Sequence, residues 1–305
     1  MILITEFMDE DAVGRLKAAH ATTYAPELAD TQDNIPARMA GIKALIVRNR
    51  TQVTAALLDA SPDLKCVGRL GVGLDNIDLE ACKARKVEVM PALGANTLSV
   101  AEYVVTNAAI LLRDAYHSKH AMMAGKWPRA QSSGREIGGR KLGLLGFGAN
   151  AQETGRLARA MGMSLIAYDP FLPADHPAWA EAERGEISQV LSRSDVVSLH
   201  VPLTDETRHI INTESLAQMK NGAVLINAAR GGVVDEKALV AAMASGHIAG
   251  AALDVFETEP LTQEAAAIFK GIKNLILTPH IAGVTQDSNV RVSTMIADLV
   301  LDRLA

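Results

Sequence analysis

Residues 141–170, KLGLLGFGANAQETGRLARAMGMSLIAYDP, constrain this chain more than any other stretch. They open on a short apolar run, 142–147, with the length and character of a buried parallel strand. The run breaks at Gly146-Phe147-Gly148-Ala149-Asn150-Ala151. A helical pattern follows, and a second apolar run, 164–168, ends on Asp169. Strand, glycine turn, helix, strand and acid, in that order, are what a dinucleotide site requires. Gly146 lets the chain turn off the strand, and Gly148 lets a pyrophosphate approach the backbone. Ala151 stands where the motif needs a small residue for helix and strand to pack closely. The helix N-terminus offers N–H groups and the positive end of a dipole. Asp169, 23 residues after Gly146, can accept from a ribose 2′-OH and would repel a 2′-phosphate. The expected cofactor is therefore NAD (NADH).

Short apolar runs at 2–7, 22–25, 44–48, 66–70 and 87–90 read as strands, with helical patterns such as 9–20 and 78–85 between them. These form an α/β layered domain of their own. Ser99 and Glu102 carry a capping-box signature before an apolar pattern that runs to about His120. A helix apolar on most faces needs cover on several sides, so it is expected to link the domains and to join a subunit interface. Beyond the glycine turn, strands are expected at 195–201, 223–229, 249–256 and 274–278, with helices at 187–192 and 235–245. The tail, 287–304, has helical spacing and is expected to return to the first domain. The layout is a nucleotide domain, 98–284, inserted in a discontinuous domain, 1–97 plus 285–305, with hinges near Asn96 and Val284.

Composition narrows the function classes. Hydrophobic residues make up 49% and charged residues 21%, which describes a globular chain. A net charge of −5 argues against a general nucleic-acid binder. No apolar run reaches membrane-spanning length, and the start MILITEFMDE turns acidic early, so it reads as a first strand and no signal peptide. Cys66 and Cys82 are the only cysteines; they suit reduced thiols in a cytoplasmic protein and have no metal spacing.

Three clusters stand at expected strand ends, where open α/β sheets place their ligands. They are Asn227-Ala228-Ala229-Arg230-Gly231-Gly232, Leu253-Asp254-Val255-Phe256-Glu257-Thr258-Glu259-Pro260 and Thr278-Pro279-His280-Ile281-Ala282-Gly283. With Gly71-Val72-Gly73-Leu74-Asp75-Asn76-Ile77-Asp78 they resemble the D-isomer-specific 2-hydroxyacid dehydrogenase family over essentially the whole chain. The nearest type is the 3-phosphoglycerate dehydrogenase branch, without its C-terminal regulatory domain.

The resemblance implies two Rossmann-like, flavodoxin-like α/β domains with the active site in the cleft between them, and a homodimer built around the long helix. It implies hydride transfer between nicotinamide and C2 of a 2-hydroxy or 2-oxo acid. Imidazole suits the proton step because it titrates near neutrality, and His280 is the candidate. Glu259 would orient it and favour its protonated form. Arg230 would bind the substrate carboxylate in a fork and polarise the carbonyl. Carried over residue by residue, Ala149 and Asn150 meet the pyrophosphate, and Val201 and Pro202 line the adenine side. Asp254, with backbone at Ala228, holds the carboxamide, and His280 and Gly283 flank the ring. Asn150 departs from the family's usual aliphatic residue.

Gly71, Val72 and Gly73 offer backbone N–H groups to the substrate carboxylate. Arg48 and Arg69, at the ends of two outer-domain strands, match arginines that face a second anionic group in the phosphoglycerate branch. The expected partner is a small anionic substrate of the 3-phosphoglycerate or 3-sulfolactate type, with no nucleic acid and no membrane. Trp127-Pro128-Arg129 is similar to a loop that supplies a further basic residue from a partner subunit. The sequence around His280 and the start at Glu6 resemble bacterial sulfolactate dehydrogenases. Alternatives are a hydroxypyruvate or glyoxylate reductase, formate or phosphite oxidation on the same fold, and a non-catalytic NAD-sensing regulator. The last would keep Gly146, Gly148 and Asp169 without needing Arg230, Glu259 and His280.

Overall fold

The structure, a computed structural model, describes residues 1–113 and 115–305. The chain divides into two compact units, one of Met1–Asn96 with Val284–Ala305 and the other of Thr97–Gly283.

The smaller unit is built on strands β1 (Ile2–Ile4), β2 (Thr22–Tyr24), β3 (Ala44–Val47), β4 (Cys66–Arg69) and β5 (Glu88–Pro91). They form an all-parallel sheet of order β2-β1-β3-β4-β5. Its helices are α1 (Glu10–Ala19), α2 (Ala55–Asp59), α3 (Leu79–Ala84) and the C-terminal α11 (Gln286–Leu304). Alternate strand residues point to opposite faces. Ile2, Ile4, Ala44, Ile46 and Cys66 pack with Ala12, Val13 and Leu16 of α1 and Val292, Ile296 and Val300 of α11. Leu3, Leu45, Val47 and Val67 pack on the other side with Leu57, Leu58 and Cys82. Both faces are dry, which is why these strands are continuous apolar runs. Each fully buried Leu, Ile or Val contributes about 1.5–3 kcal/mol. Asp9, Thr54, Asp78 and Thr285 accept backbone N–H bonds at the four helix starts, and Thr285 forms a capping box with Ser288.

The larger unit holds β6 (Lys141–Leu145), β7 (Ser164–Tyr168), β8 (Glu183–Arg184), β9 (Val196–Leu199), β10 (Ala223–Asn227), β11 (Ile248–Leu253) and β12 (Leu275–Leu277). They form a parallel sheet of order β12-β11-β10-β9-β6-β7-β8. Its helices are α4 (Thr97–Arg113), α5 (Lys119–Met123), α6 (Ala149–Ala160), α7 (Ile187–Arg193), α8 (Thr213–Gln218), α9 (Glu236–Ala244) and α10 (Gln263–Ala266). Helices α4 and α6 cover one face through Val104, Ala108, Leu111, Ala151 and Ala158, against Leu142, Leu144, Val224 and Ile226. Residues of α7, α8 and α9 cover the other, against Leu145, Val197, Leu225 and Leu253.

Two expectations are corrected. Ser99 is not a helix cap: α4 begins at Thr97, and Ser99 is buried inside its first turn. Packing against α6 and the bond from Thr97 Oγ1 to Asn150 Oδ1 (2.8 Å) hold the start of the helix, so a local capping pattern was overridden by tertiary contact. Nor does the helix run to His120. It reaches Arg113, and a 3₁₀ turn (Tyr116–Ser118) and the short α5 follow; Asp114 lies outside the described residues. Strand β8 was not expected, since both its residues are exposed and charged and carry no apolar signal.

Among the described residues no helix is long and apolar enough to cross a membrane. No group of three His, Cys, Asp or Glu among them could hold a metal ion. Cys66 and Cys82 are free and buried, and burial pushes the Cys66 thiol up to about 11, which keeps it protonated and unreactive.

Candidate active site

In the larger unit the chain reverses its winding between β6 and β9, the place where doubly wound sheets bind ligands. Gly146 closes β6 there with φ +88°, and a Cβ on it would lie 2.5 Å from the carbonyl oxygen of His200 beyond β9. Only glycine satisfies both conditions. Gly148 caps α6 without a side-chain bond, and a Cβ on it would meet nothing within 4 Å. An open space thus faces the start of a 12-residue helix, which suits an anion.

Asp169 ties the second strand to this turn. Its Oδ2 accepts from Phe147 N (2.7 Å), and Oδ1 accepts from Phe171 N (2.9 Å) and Leu172 N (3.0 Å). A carboxylate has about four acceptor positions, so one on Oδ2 remains for a ribose hydroxyl. These residues fit a dinucleotide: a steric vacancy for phosphate and an acceptor for ribose flank one turn. Val201 and Pro202 follow β9 beside it. Asn150 sits in the first turn of α6, its Oδ1 engaged by Thr97.

The chemical groups stand further along the same sheet edge. Neighbouring strands lie about 4.8 Å apart, so the end of β10 is about 10 Å from the end of β6. Asn227 closes β10, 1% exposed. It donates from Nδ2 to Arg230 O (3.0 Å) and accepts at Oδ1 from Ala229 N (3.1 Å), shaping the turn through Ala228 to Arg230. A Cβ on Gly231 would lie 1.7 Å from Phe256 O. The missing side chain lets this turn touch the loop after β11 that carries Glu259.

Glu259 Oε1 accepts from Phe256 N (3.0 Å), and Oε2 lies 2.8 Å from His280 Nδ1. Burial raises the Glu259 carboxyl, but the His280 hydrogen bond, the Phe256 N–H and the charges of His280 and Arg230 outweigh it and hold it below its ordinary 4.5. An ionised carboxylate only accepts, so Nδ1 carries the proton and Nε2 is the atom left to exchange one. Arg230, Glu259 and His280 are thereby gathered at one corner of the unit. Glu236 and Glu257 fasten the loop further, each carboxylate accepting the other's backbone N–H at 2.8 and 3.2 Å.

His280 has φ +56°, a left-handed conformation that costs a non-glycine residue about 1–2 kcal/mol. Asp254 enforces it. Its backbone carbonyl accepts from His280 N (2.8 Å). Its carboxylate, 1% exposed, accepts from Thr278 Oγ1 (2.6 Å), Ile281 N (2.9 Å) and Ala282 N (2.7 Å). Tyr103 Oη joins through Thr278 Oγ1 at 2.7 Å, and burial pushes its hydroxyl up to about 12, so it stays a neutral hydrogen-bonding group. Asp254 was expected to hold a carboxamide; here it shapes the His280–Gly283 turn, with one acceptor position left on Oδ2. Tyr103 and Thr278 were not foreseen in this role, although Thr278 begins the third sequence cluster. His200 is set aside as a base, because burial lowers it to about 4 and its Nε2 is 2.9 Å from Ser198 Oγ.

The Glu259 shift carries a pH prediction. A carboxyl lowered by folding stabilises the folded protein above 4.5, and this contribution is lost as pH falls through the lowered value. Glu259→Gln should lower the melting temperature at pH 7 by about 1–2 °C, a small effect because the pair is partly hydrated. Calorimetry across acid pH should show the two proteins converging below pH 4.5; a gap that widens there would contradict the assignment.

In the smaller unit, order β2-β1-β3 makes the C-terminal ends of β1 and β3 a second switch point. Arg48 follows β3 there, half-buried, with Nη2 donating to Asn289 Oδ1 of α11 at 2.9 Å. Arg69 ends β4 and donates from Nη1 to Leu70 O (3.1 Å). Gly71 has φ +149°, and a Cβ on it would lie 1.7 Å from Arg69 Nη1, so its bare backbone makes room for the guanidinium. Val72 and Gly73 follow, partly exposed.

A glycine turn and an acid tied to it at one switch point, with a histidine–carboxylate pair and an arginine on the same edge, define a dinucleotide-dependent oxidoreductase. Residues 105–282 match the family model for the D-isomer specific 2-hydroxyacid dehydrogenase, NAD binding domain. The chain is 51% identical over 300 residues to the (S)-sulfolactate dehydrogenase of Chromohalobacter salexigens, covering 98% of this chain and 96% of that one. It is 40% identical to the hydroxypyruvate reductase of Thermotoga maritima, over 86% and 85% of the two chains. Its fold superposes on the D-lactate dehydrogenase of Aquifex aeolicus, solved with NAD and lactic acid, with a TM-score of 0.82 and 29% identity over 98% and 94% of the chains. The chain belongs to the D-isomer specific 2-hydroxyacid dehydrogenase family. It is an NAD-dependent oxidoreductase acting on CH–OH groups.

Proposed function

We propose that the substrate is a 2-hydroxy acid with a second anionic group, a sulfonate or a phosphate, interconverted with its 2-oxo acid. Arg48 carries the reading: it is a half-buried cation at a switch point whose guanidinium is held by a neutral amide and, among the described residues, by no carboxylate. Arg69 would add a second cation, and the N–H groups of Gly71, Val72 and Gly73 would take the carboxylate at C1. The name of the Chromohalobacter relative supports a sulfonate.

NAD, when bound, takes or returns the hydride at C2. The protein's part is charge and position. In the oxidative direction His280 takes the hydroxyl proton at Nε2, and the imidazolium is stabilised by Glu259 through Nδ1. Arg230 grips the carboxylate beside C2 and polarises the carbonyl when the reaction runs backwards. Asp254, Thr278 and Tyr103 hold the His280 turn. The reading extends to a homodimer in the cytoplasm; the exposed apolar side chains of Met122, Met123 and Trp127 beyond α4 support the first part.

Arg48→Gln is the test. The kcat/KM for 3-sulfolactate or 3-phosphoglycerate should fall at least about tenfold more than that for lactate, as loss of a charge-assisted bond demands. An equal fall on lactate overturns the proposal. A wild-type enzyme that favours hydroxypyruvate, which lacks a second anion, over both dianions would favour the reductase reading.

A further inference from the structure

The turn 48–51 that carries Arg48 is fastened from both sides. Glu6, 3% exposed just beyond β1, accepts from the backbone N–H of Arg48 (2.8 Å), Arg50 (3.1 Å) and Thr51 (2.9 Å). Asn76 donates from Nδ2 to the carbonyls of Thr51 (2.6 Å) and Arg48 (3.3 Å). The charge of Glu6 is taken up by amides and makes no hydrogen bond to the Arg48 guanidinium. Burial lowers the Arg48 guanidinium from its ordinary value and the Glu6 charge only partly offsets this. Among the described residues, the side chain that hydrogen-bonds the guanidinium is Asn289, near the start of α11 and 241 residues away in the chain.

We propose that Asn289 is a specificity-determining positioning residue, which aims Arg48 at the second anionic group of the substrate while bringing no carboxylate onto its guanidinium. A carboxylate at 289 would hold the guanidinium as firmly but neutralise it, so a substrate anion would have to displace an ion pair. An apolar side chain would leave the charge available but the long arm free to swing, and fixing it would then weaken binding. Only a short neutral acceptor both holds the arm and leaves its charge for the ligand. This inference rests on the role of Arg48 given above.

The test compares wild type, Asn289→Asp and Asn289→Ala on 3-sulfolactate, 3-phosphoglycerate and lactate, with NAD saturating. Asn289→Asp is isosteric and should melt no lower than wild type. The ratio of kcat/KM for the dianions to that for lactate should fall about tenfold or more in Asn289→Asp, through KM and with little change in kcat. In Asn289→Ala the ratio should fall about threefold, the cost of an unfixed side chain. A ratio in Asn289→Asp within about twofold of wild type, or an equal loss on all three acids, overturns the proposal and leaves Asn289 a structural partner. Failure of the underlying reading looks different: wild type itself then shows no preference for dianions, or Arg48→Gln shows no selective loss.

Discussion

His280→Asn lowers kcat/KM for hydroxy-acid oxidation by about 10²–10⁴-fold, the usual worth of a positioned general base. Asparagine is the informative substitution because His280 sits at φ +56°, a conformation asparagine tolerates better than alanine. The bonds that Asp254 accepts from the backbone N–H groups of residue 280, Ile281 and Ala282 survive, so the turn should keep its shape. What is lost is Nε2, together with the ion pair through which Glu259 stabilises an imidazolium. NADH affinity, read by fluorescence titration, should stay within about threefold of wild type, since the loss falls on the chemical step. A variant retaining more than a tenth of wild-type kcat/KM would mean that another group moves the proton.

Arg230→Gln comes second, with an expected loss of about 10²–10³-fold in kcat/KM, the range for removing one preorganised donor from a developing oxyanion. The local frame again makes the result interpretable. Asn227, the Arg230 carbonyl and the close approach of Gly231 to Phe256 hold the turn without the guanidinium, whose own bond to it is one from Nη1 to Ala229 O (2.7 Å). Arg230→Lys should recover only part of the loss, because an ammonium keeps the charge but not the planar fork. Should lysine restore full rate, the fork has no role and Arg230 serves as a point charge. Should glutamine cost less than tenfold, the carboxylate is held elsewhere.

The elements were legible where one residue type repeats at one period. The apolar runs around 44–48 and 223–229 appear as β3 and β10, a residue or two shorter at their ends. The pairing of Glu259 with His280 was expected from their motifs and stands at 2.8 Å. Legibility failed where a local signal met a stronger distant contact. Ser99 reads as a cap, but burial of α4 against α6 starts the helix three residues earlier than a cap there would. Strand β8 has no apolar pattern at all, because an exposed edge strand needs none. At Asp254 the sequence shows an acid at a strand end; that its carboxylate also holds the histidine turn through three accepted bonds depends on the folded contact.

By itself the sequence determined the alternation of strands and helices, the glycine turn with its acid, and the kinds of side chain that stand at strand ends. These depend on periodicity and on conformational limits that act over a few residues. Only the tertiary structure decided that Asn289 reaches Arg48, that Tyr103 reaches Thr278 across 175 positions, and that Glu6 holds the backbone amides of the Arg48 turn. A polar group must find some partner when it is buried, but which one it finds is set by strand order and helix packing, and these arise from the whole core at once.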